Sequence, residues 1–267
     1  MKQQRETERT ASADRDQIAL GTPIVVSTYN VQTLYQPVKF HQLCSGSTDA
    51  GVNIVAVQEH RLLSTNPLTE KWSDDKNWLF IHNSASRNRQ GGVGLLVAKQ
   101  FVKCIVSTKC VSDRIISVSF NGNPRLVVTV AHTPTEMAND EDKDQFYESL
   151  EDYTRNQIKR HDLHLVLGNL NARLGHAERL LNYCLEHNLR HVQSRFPLPI
   201  SRMWTWKHPT GSMTLIDHIL INSKWTNSLR NCRAHNSVEL DSDHRILSAK
   251  IKVILRTTKG KGSQTNN

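Results

Sequence analysis

The sequence predicts an α/β domain built mainly of strands, and three observations carry that reading. Its 267 residues suffice for one large α/β domain with a real core. Short apolar or β-branched runs recur along the chain, bounded by Gly, Asn, Pro or Asp, which is the punctuation of strands. The strongest helical period runs from Asp140 to Arg160. It places Phe146, Leu150, Tyr153 and Ile158 along one face and acidic residues in the first turn, where the helix dipole favours them.

In chain order, residues 1–21 are polar and aperiodic and read as a disordered lead. Ile24–Tyr29 is a β-branched strand ending at Asn30. Pro37–Ala50 is a helical stretch that Ser45-Gly46-Ser47 weakens. Val52–Val57 is a second strand, ending at Gln58-Glu59, and Trp78–Ile81 a third. Gly91-Gly92-Val93-Gly94 opens a fourth; no helix or Lys-Ser/Thr follows, so these glycines imply close packing or a bulge and not a nucleotide loop. Ile115–Phe120 and Leu126–Ala131 flank Asn121-Gly122-Asn123-Pro124, a hairpin signal.

Leu163–Leu167 runs into Gly168-Asn169-Leu170-Asn171. If this strand ends at a site, its period of two aims Asn169 and Asn171 the same way; a plain Gly-Asn turn is the alternative. Ala177–His187 is helical, Leu215–Ile221 is an apolar strand interrupted by Asp217 and His218, and Arg245–Leu255 is a last strand. Without repeats or low-complexity linkers, one domain over residues 22–256 is the economical division, with 257–267 a basic flexible tail.

The net charge of +9 favours a polyanionic partner, nucleic acid first. Five scattered cysteines without a C-x-x-C pair argue against a disulfide framework or a zinc knuckle and for a reducing, intracellular compartment. No apolar run approaches the roughly 18 residues of a membrane helix, and the polar N-terminus lacks the apolar core of a signal peptide.

Polar groups gather at strand ends: Asn30, Glu59, the Asn169/Asn171 pair, Asp217 and the Asp243-His244 pair. Singly, each has a structural account as a turn cap, a surface acid or a buried ion-pair member. Together, a carboxylate, an Asp–His pair and several amides are the parts of a Mg²⁺-assisted phosphoryl site. Mg²⁺ needs only one or two carboxylates because it keeps several waters, and amides hold phosphate oxygens without adding negative charge.

The motifs Thr28-Tyr29-Asn30-Val31, Val57-Gln58-Glu59, Gly168-Asn169-Leu170-Asn171-Ala172, Ile216-Asp217-His218-Ile219-Leu220 and Ser242-Asp243-His244-Arg245 occur in the order of the endonuclease/exonuclease/phosphatase superfamily. Trp204-Thr205-Trp206 and Gly91–Leu95 add to the match. The chain most resembles the endonuclease domains of LINE-type retrotransposons of the RTE clade. The resemblance implies a four-layered α/β sandwich of two packed β-sheets with helices outside. It implies a monomeric, Mg²⁺-dependent DNA-nicking endonuclease, with Mn²⁺ as a substitute ion, and a nuclear setting.

It further implies that Glu59 is the main metal ligand, that Asn30 supports metal or phosphate, and that Asp243 joins them. Asn171 would contact the scissile phosphate, Asp217 would orient His244, and His244 would act as base or charge stabiliser. Thr205 and Ser242 would approach the DNA. Two positions depart from the family pattern. Asn169 stands where the family has an Asp that helps activate water, and an amide is no base at neutral pH. His132 stands where the family often has Tyr, and can still donate to phosphate. Asn169 therefore implies reduced activity, or a descendant that binds nucleic acid without cutting it; the basic charge disfavours a phosphomonoester or inositol-lipid substrate.

Overall fold

The structure is a computed structural model that describes residues 16–255, apart from Arg87, Arg89, Gln90, residues 173–177 and Pro197. The strands in chain order are β1 Ile24–Asn30, β2 Ile54–Gln58, β3 Thr69–Trp72, β4 Trp78–His82, β5 Val93–Ala98, β6 Ile105–Ser112, β7 Ile115–Phe120 and β8 Leu126–His132. They continue with β9 Leu163–Asn169, β10 Leu189–His191, β11 Trp206–Lys207, β12 Met213–Thr214, β13 Asp217–Asn222, β14 Leu229–His235 and β15 Ile246–Ile251. Helices are α1 Pro37–Asp49, α2 Lys99–Val102, α3 Asp140–Gln157, α4 Glu178–Glu186 and α5 Ile200–Met203.

One seven-stranded sheet has the order β14-β15-β1-β2-β5-β4-β3, and a six-stranded sheet the order β10-β13-β9-β8-β7-β6. Alternation of side chains sorts each strand's residues into two layers. Val26, Ile54, Val97, Val128, Leu165 and Ile219 meet in the core between the sheets. The opposite faces are covered by α1 through Phe40 and Leu43 on one sheet, and by α3 and α4 through Phe146, Leu150 and Tyr183 on the other. The four-layered α/β sandwich implied by the family resemblance is therefore the observed architecture.

Local chemistry explains the elements that matter for the site. The N-cap Asn139 accepts from the Asp142 N–H at 2.7 Å, fixing the start of α3. Gly168 lies inside β9: a Cβ there would fall 1.7 Å from the Ala131 carbonyl oxygen, so only glycine permits this approach of β8 and β9. Gly92 (φ +86°) serves a similar end, since a Cβ would strike the His60 ring at 2.5 Å. The helix over Pro37–Asp49 holds through Ser45-Gly46-Ser47 because Ser47 is buried and Gly46 packs on Val238. Tertiary packing there overrides weak propensity.

The lead expected over residues 1–21 is described only from residue 16, and that part is tied down. The Ile18 N–H donates to the Asn121 carbonyl (2.9 Å) and the Gly21 N–H to that of Val253 (3.0 Å). The basic tail expected over 257–267 lies outside the described residues. Among the described residues no helix is long and apolar enough to cross a membrane.

Candidate active site

The topology gathers the polar strand ends at one edge. β1 and β2 are parallel, as are β8 and β9, so each pair finishes on the same side; β13 runs antiparallel to β9, and β15 to β1, so both begin there. The row of each strand that fills the inter-sheet core continues outward by twos to Asn30, Gln58, His132 and Asn169, and in β13 that row starts with Asp217. Register sets His132 opposite Asn169 and Asn169 opposite Asp217. The apolar filling of the sandwich thus ends in a polar rim.

Glu59 follows β2 with a positive φ of 56°. Its Oε1 accepts from Asn30 Nδ2 at 2.8 Å, its Oε2 from Arg61 Nη2 at 2.9 Å, and His132 Nε2 lies 3.7 Å from Oε1. Burial alone would raise its pKa; His132, the Asn30 amide and Arg61 outweigh it and hold the carboxyl below its ordinary range. His132 goes the other way from a free imidazole. Its burial pushes the pKa down to about 4 against the opposing pull of Glu59, and its Nδ1 is buried without a hydrogen-bond partner among the described residues.

Across the edge, Asp217 has 0% exposure, with Oδ2 2.8 Å from His244 Nδ1 and Oδ1 buried without a partner among the described residues. Burial of His244 favours its neutral form, but Asp217, then Asp243 and Glu59, outweigh that and raise its pKa. The pair fixes the tautomer and leaves Nε2 for chemistry. Asp243 accepts from Gln32 Nε2 (2.6 Å) and from the Trp206 indole (2.8 Å), and lies 3.7 Å from His244 Nε2. A cavity of about 650 Å³ opens beside His244, lined among others by Trp204, Lys207, Asp243 and Arg245.

Three expected residues sit differently from a simple surface role. Asn171 is beyond β9 in the left-handed region (φ 45°), so strand alternation does not set its direction; it donates through Nδ2 to the Thr133 carbonyl (2.8 Å), and its N–H donates to Asn169 Oδ1 (3.0 Å). Thr205 is fully buried, with Oγ1 accepting from the N–H groups of Ile216 and Asp217 (3.2 and 3.1 Å). A side chain with no exposed surface does not reach DNA, and here it anchors the start of β13. Ser242 donates to the Asn30 carbonyl (2.8 Å) and accepts from the His244 N–H (3.1 Å), which joins the 242–244 turn to β1. Asp217 itself opens its strand instead of interrupting it, because the strand starts two residues later than the apolar run suggested.

Reading the sequence missed Arg61, Gln32 and the Trp206 indole. Arg61, two residues after Glu59, was within local reach and the sequence could have shown it; Gln32 and Trp206 meet Asp243 only through the fold.

Among the described residues no group of three or more His, Cys, Asp and Glu side chains is arranged to hold a metal. Glu59 with the Asn30 amide suits instead a hard cation that keeps most of its water, as Mg²⁺ does. The concentration of buried polar atoms without partners at this edge, Asp217 Oδ1, His132 Nδ1 and Arg61 Nε among them, fits a site awaiting a charged ligand.

Comparison with known proteins gives the class. Residues 27–244 match the model of the Endonuclease/Exonuclease/phosphatase family, and the chain belongs to that family. More particularly, it is 27% identical to craniofacial development protein 2 of Bos taurus, over 88% of this chain and 42% of that protein. The same-named protein of Tragulus javanicus is 26% identical over 88% and 44%. The chain spans less than half the length of these relatives. Among solved structures, an AP endonuclease from Leishmania major has a TM-score of 0.69 at 11% identity, covering 90% of this chain and 93% of that one. The endonuclease domain of TRAS1, a telomere-specific non-LTR retrotransposon, has 0.62 at 12%, covering 87% and 99%. A Neisseria 3′ phosphatase bound to a product DNA hairpin has 0.69 at 19%, covering 86% and 99%. At such identities the likeness is one of fold.

Proposed function

We propose that this chain is a metal-dependent phosphodiesterase that nicks DNA, slowed by Asn169 and derived from a retrotransposon endonuclease. The observation that carries the reading is the buried Asp217–His244 pair set across a polar rim from Glu59. His244 keeps its proton to higher pH than a free imidazole, so its Nε2 can offset charge on a phosphodiester oxygen during in-line attack by water. Neutral His132 and the Asn171 amide add hydrogen bonds to phosphate. Thr205 and Ser242 act as positioning residues for Asp217 and His244.

Glu59 and Asn30 would hold Mg²⁺, or Mn²⁺ in its place. Asp243, whose two oxygens each already accept one hydrogen bond, would join through a remaining lone pair. When bound, the cation supplies Lewis-acid polarisation of the phosphate. A DNA substrate suits the +9 charge, a monomer in the nucleus is the setting it implies, and the retrotransposon ancestry rests on the motif order.

A second reading, nucleic-acid binding without cleavage, is favoured by Asn169 alone: its Oδ1 is already engaged by the Asn171 N–H, and an amide takes no proton from water. Nicking of supercoiled plasmid in Mg²⁺ by wild type, Glu59→Ala and Asn169→Asp separates the two. Nicking by wild type that vanishes in Glu59→Ala supports the enzyme. Nicking that appears only in Asn169→Asp supports the binding descendant, and no nicking or DNA binding by any of them overturns both.

A further inference from the structure

β9, which delivers Asn169 to the rim, carries His164 near its other end, about 17 Å away at ~3.3 Å per residue. A cavity of about 510 Å³ opens there, between the end of α3, the start of β9, the turn after α4 and the end of β13. Arg155, Lys159, Arg160 and Lys224 line it, and among the described residues no carboxylate does. Arg155 is engaged by Glu186 and Asp152 (2.6 and 3.4 Å). The neighbouring Asp162 is taken by Arg125 and by the Lys159 N–H. Among the described residues Lys159 and Arg160 have no ion-pair partner, and Lys224 contacts only a ring nitrogen of His161 and the Trp225 face, neither of which cancels its charge. His187, packed on the Tyr183 ring, lines the same cavity with its Nε2 buried and without a hydrogen-bond partner.

We propose that this cavity is a second anion site, which takes a terminal phosphate or diphosphate through Lys159, Arg160 and Lys224, with the unpartnered His187 Nε2 as a further hydrogen-bond partner. Three uncompensated cations around a concave space suit a compact, highly charged group that enters end-on, where a running nucleic-acid backbone would need an open track. The chemistry is shared by a free phosphorylated small molecule and by the phosphorylated end of a nucleic-acid strand. The site is separate from the Glu59 rim and stands whether or not the chain cuts DNA.

Calorimetric titration of the full chain in chelator tests it, using pyrophosphate, a 5′-phosphorylated oligonucleotide and the same oligonucleotide with a 5′ hydroxyl. Binding of pyrophosphate should weaken at least about tenfold in Lys159→Ala/Arg160→Ala/Lys224→Ala, and also in Lys224→Glu alone. The same loss should be seen on a His244→Ala background, which disarms the rim. Comparable affinity for both phosphate probes assigns a free phosphorylated ligand. A preference of about tenfold or more for the phosphorylated over the hydroxyl oligonucleotide, beyond its affinity for pyrophosphate, assigns a strand end. If neither phosphate probe binds, or folded Lys224→Glu and the triple variant bind as wild type does, the proposal is wrong.

Discussion

His132 and His244 stand at the same edge of the sandwich with nearly equal exposure, 6% and 7%, each beside a carboxylate. Burial wins at His132 and the carboxylate wins at His244. The difference lies in distance and competition. The Asp217 carboxylate meets His244 at 2.8 Å and has no other hydrogen-bond partner among the described residues, whereas Glu59 lies 3.7 Å from His132 and is already held by Asn30 and Arg61. One edge therefore carries an imidazole whose pKa falls to about 4 beside a screened acid, and one whose pKa is raised beside an unscreened acid. Desolvation alone would have made both neutral.

Breaking the close pair should have the largest effect. Asp217→Ala leaves His244 buried without its counter-charge and should cost about 3–5 kcal/mol in denaturant unfolding. His244→Gln keeps the volume but removes the charge. On the proposed mechanism it should lower the nicking rate about 10²–10³-fold in single-turnover assays, while His132→Gln should cost less because that ring is already neutral.

The two rings should also impose opposite pH dependences on stability. The folded pKa of His132, about 4, lies below the ordinary 6.5, so the unfolded chain binds this proton first. Its contribution is present above pH 6.5 and is lost as pH falls toward 4. The raised His244 contributes fully below its unfolded pKa near 6.5, and that contribution is lost as pH rises through the folded value. Buried His60 and His164, both lowered to about 3, add acid-side loss of the same sign as His132. Denaturant midpoints from pH 4 to 9 should therefore show His132→Gln flattening part of the acid limb, and His244→Gln flattening the limb above 6.5. The smallest effect is expected from Trp206→Phe. It removes one charge-assisted hydrogen bond to Asp243 and should cost about 1–2 kcal/mol, with a small change at His244.

Much of this comparison was legible in the residues. Asn30, Glu59, Asn169, Asp217 and His244 stand out as polar breaks in apolar runs, and strand alternation with parallel pairing suffices to bring them together. Edge strands were not legible. β3 (Thr69-Glu70-Lys71-Trp72), β6 and β14 border one neighbour only, so they tolerate Lys, Glu, Arg and Asn where a central strand would not. β14 also changes register between Leu229 and Asn231, which breaks its alternation. The environment of each site group was hidden as well: the burial of Thr205 follows from packing, and the hold of Gln32 and Trp206 on Asp243 depends on contacts 211 and 37 residues apart in sequence.

The fully buried Asp217 carboxylate raises the pKa of His244 above that of a free imidazole, while burial lowers that of His132. Site-resolved NMR titration of the imidazole resonances in wild type and Asp217→Asn tests it most directly. The expected result is a His244 midpoint above 6.5 that falls below it in Asp217→Asn, with His132 titrating near 4 in both. A His244 midpoint below 6.5 in wild type, or one unmoved by Asp217→Asn, would contradict it.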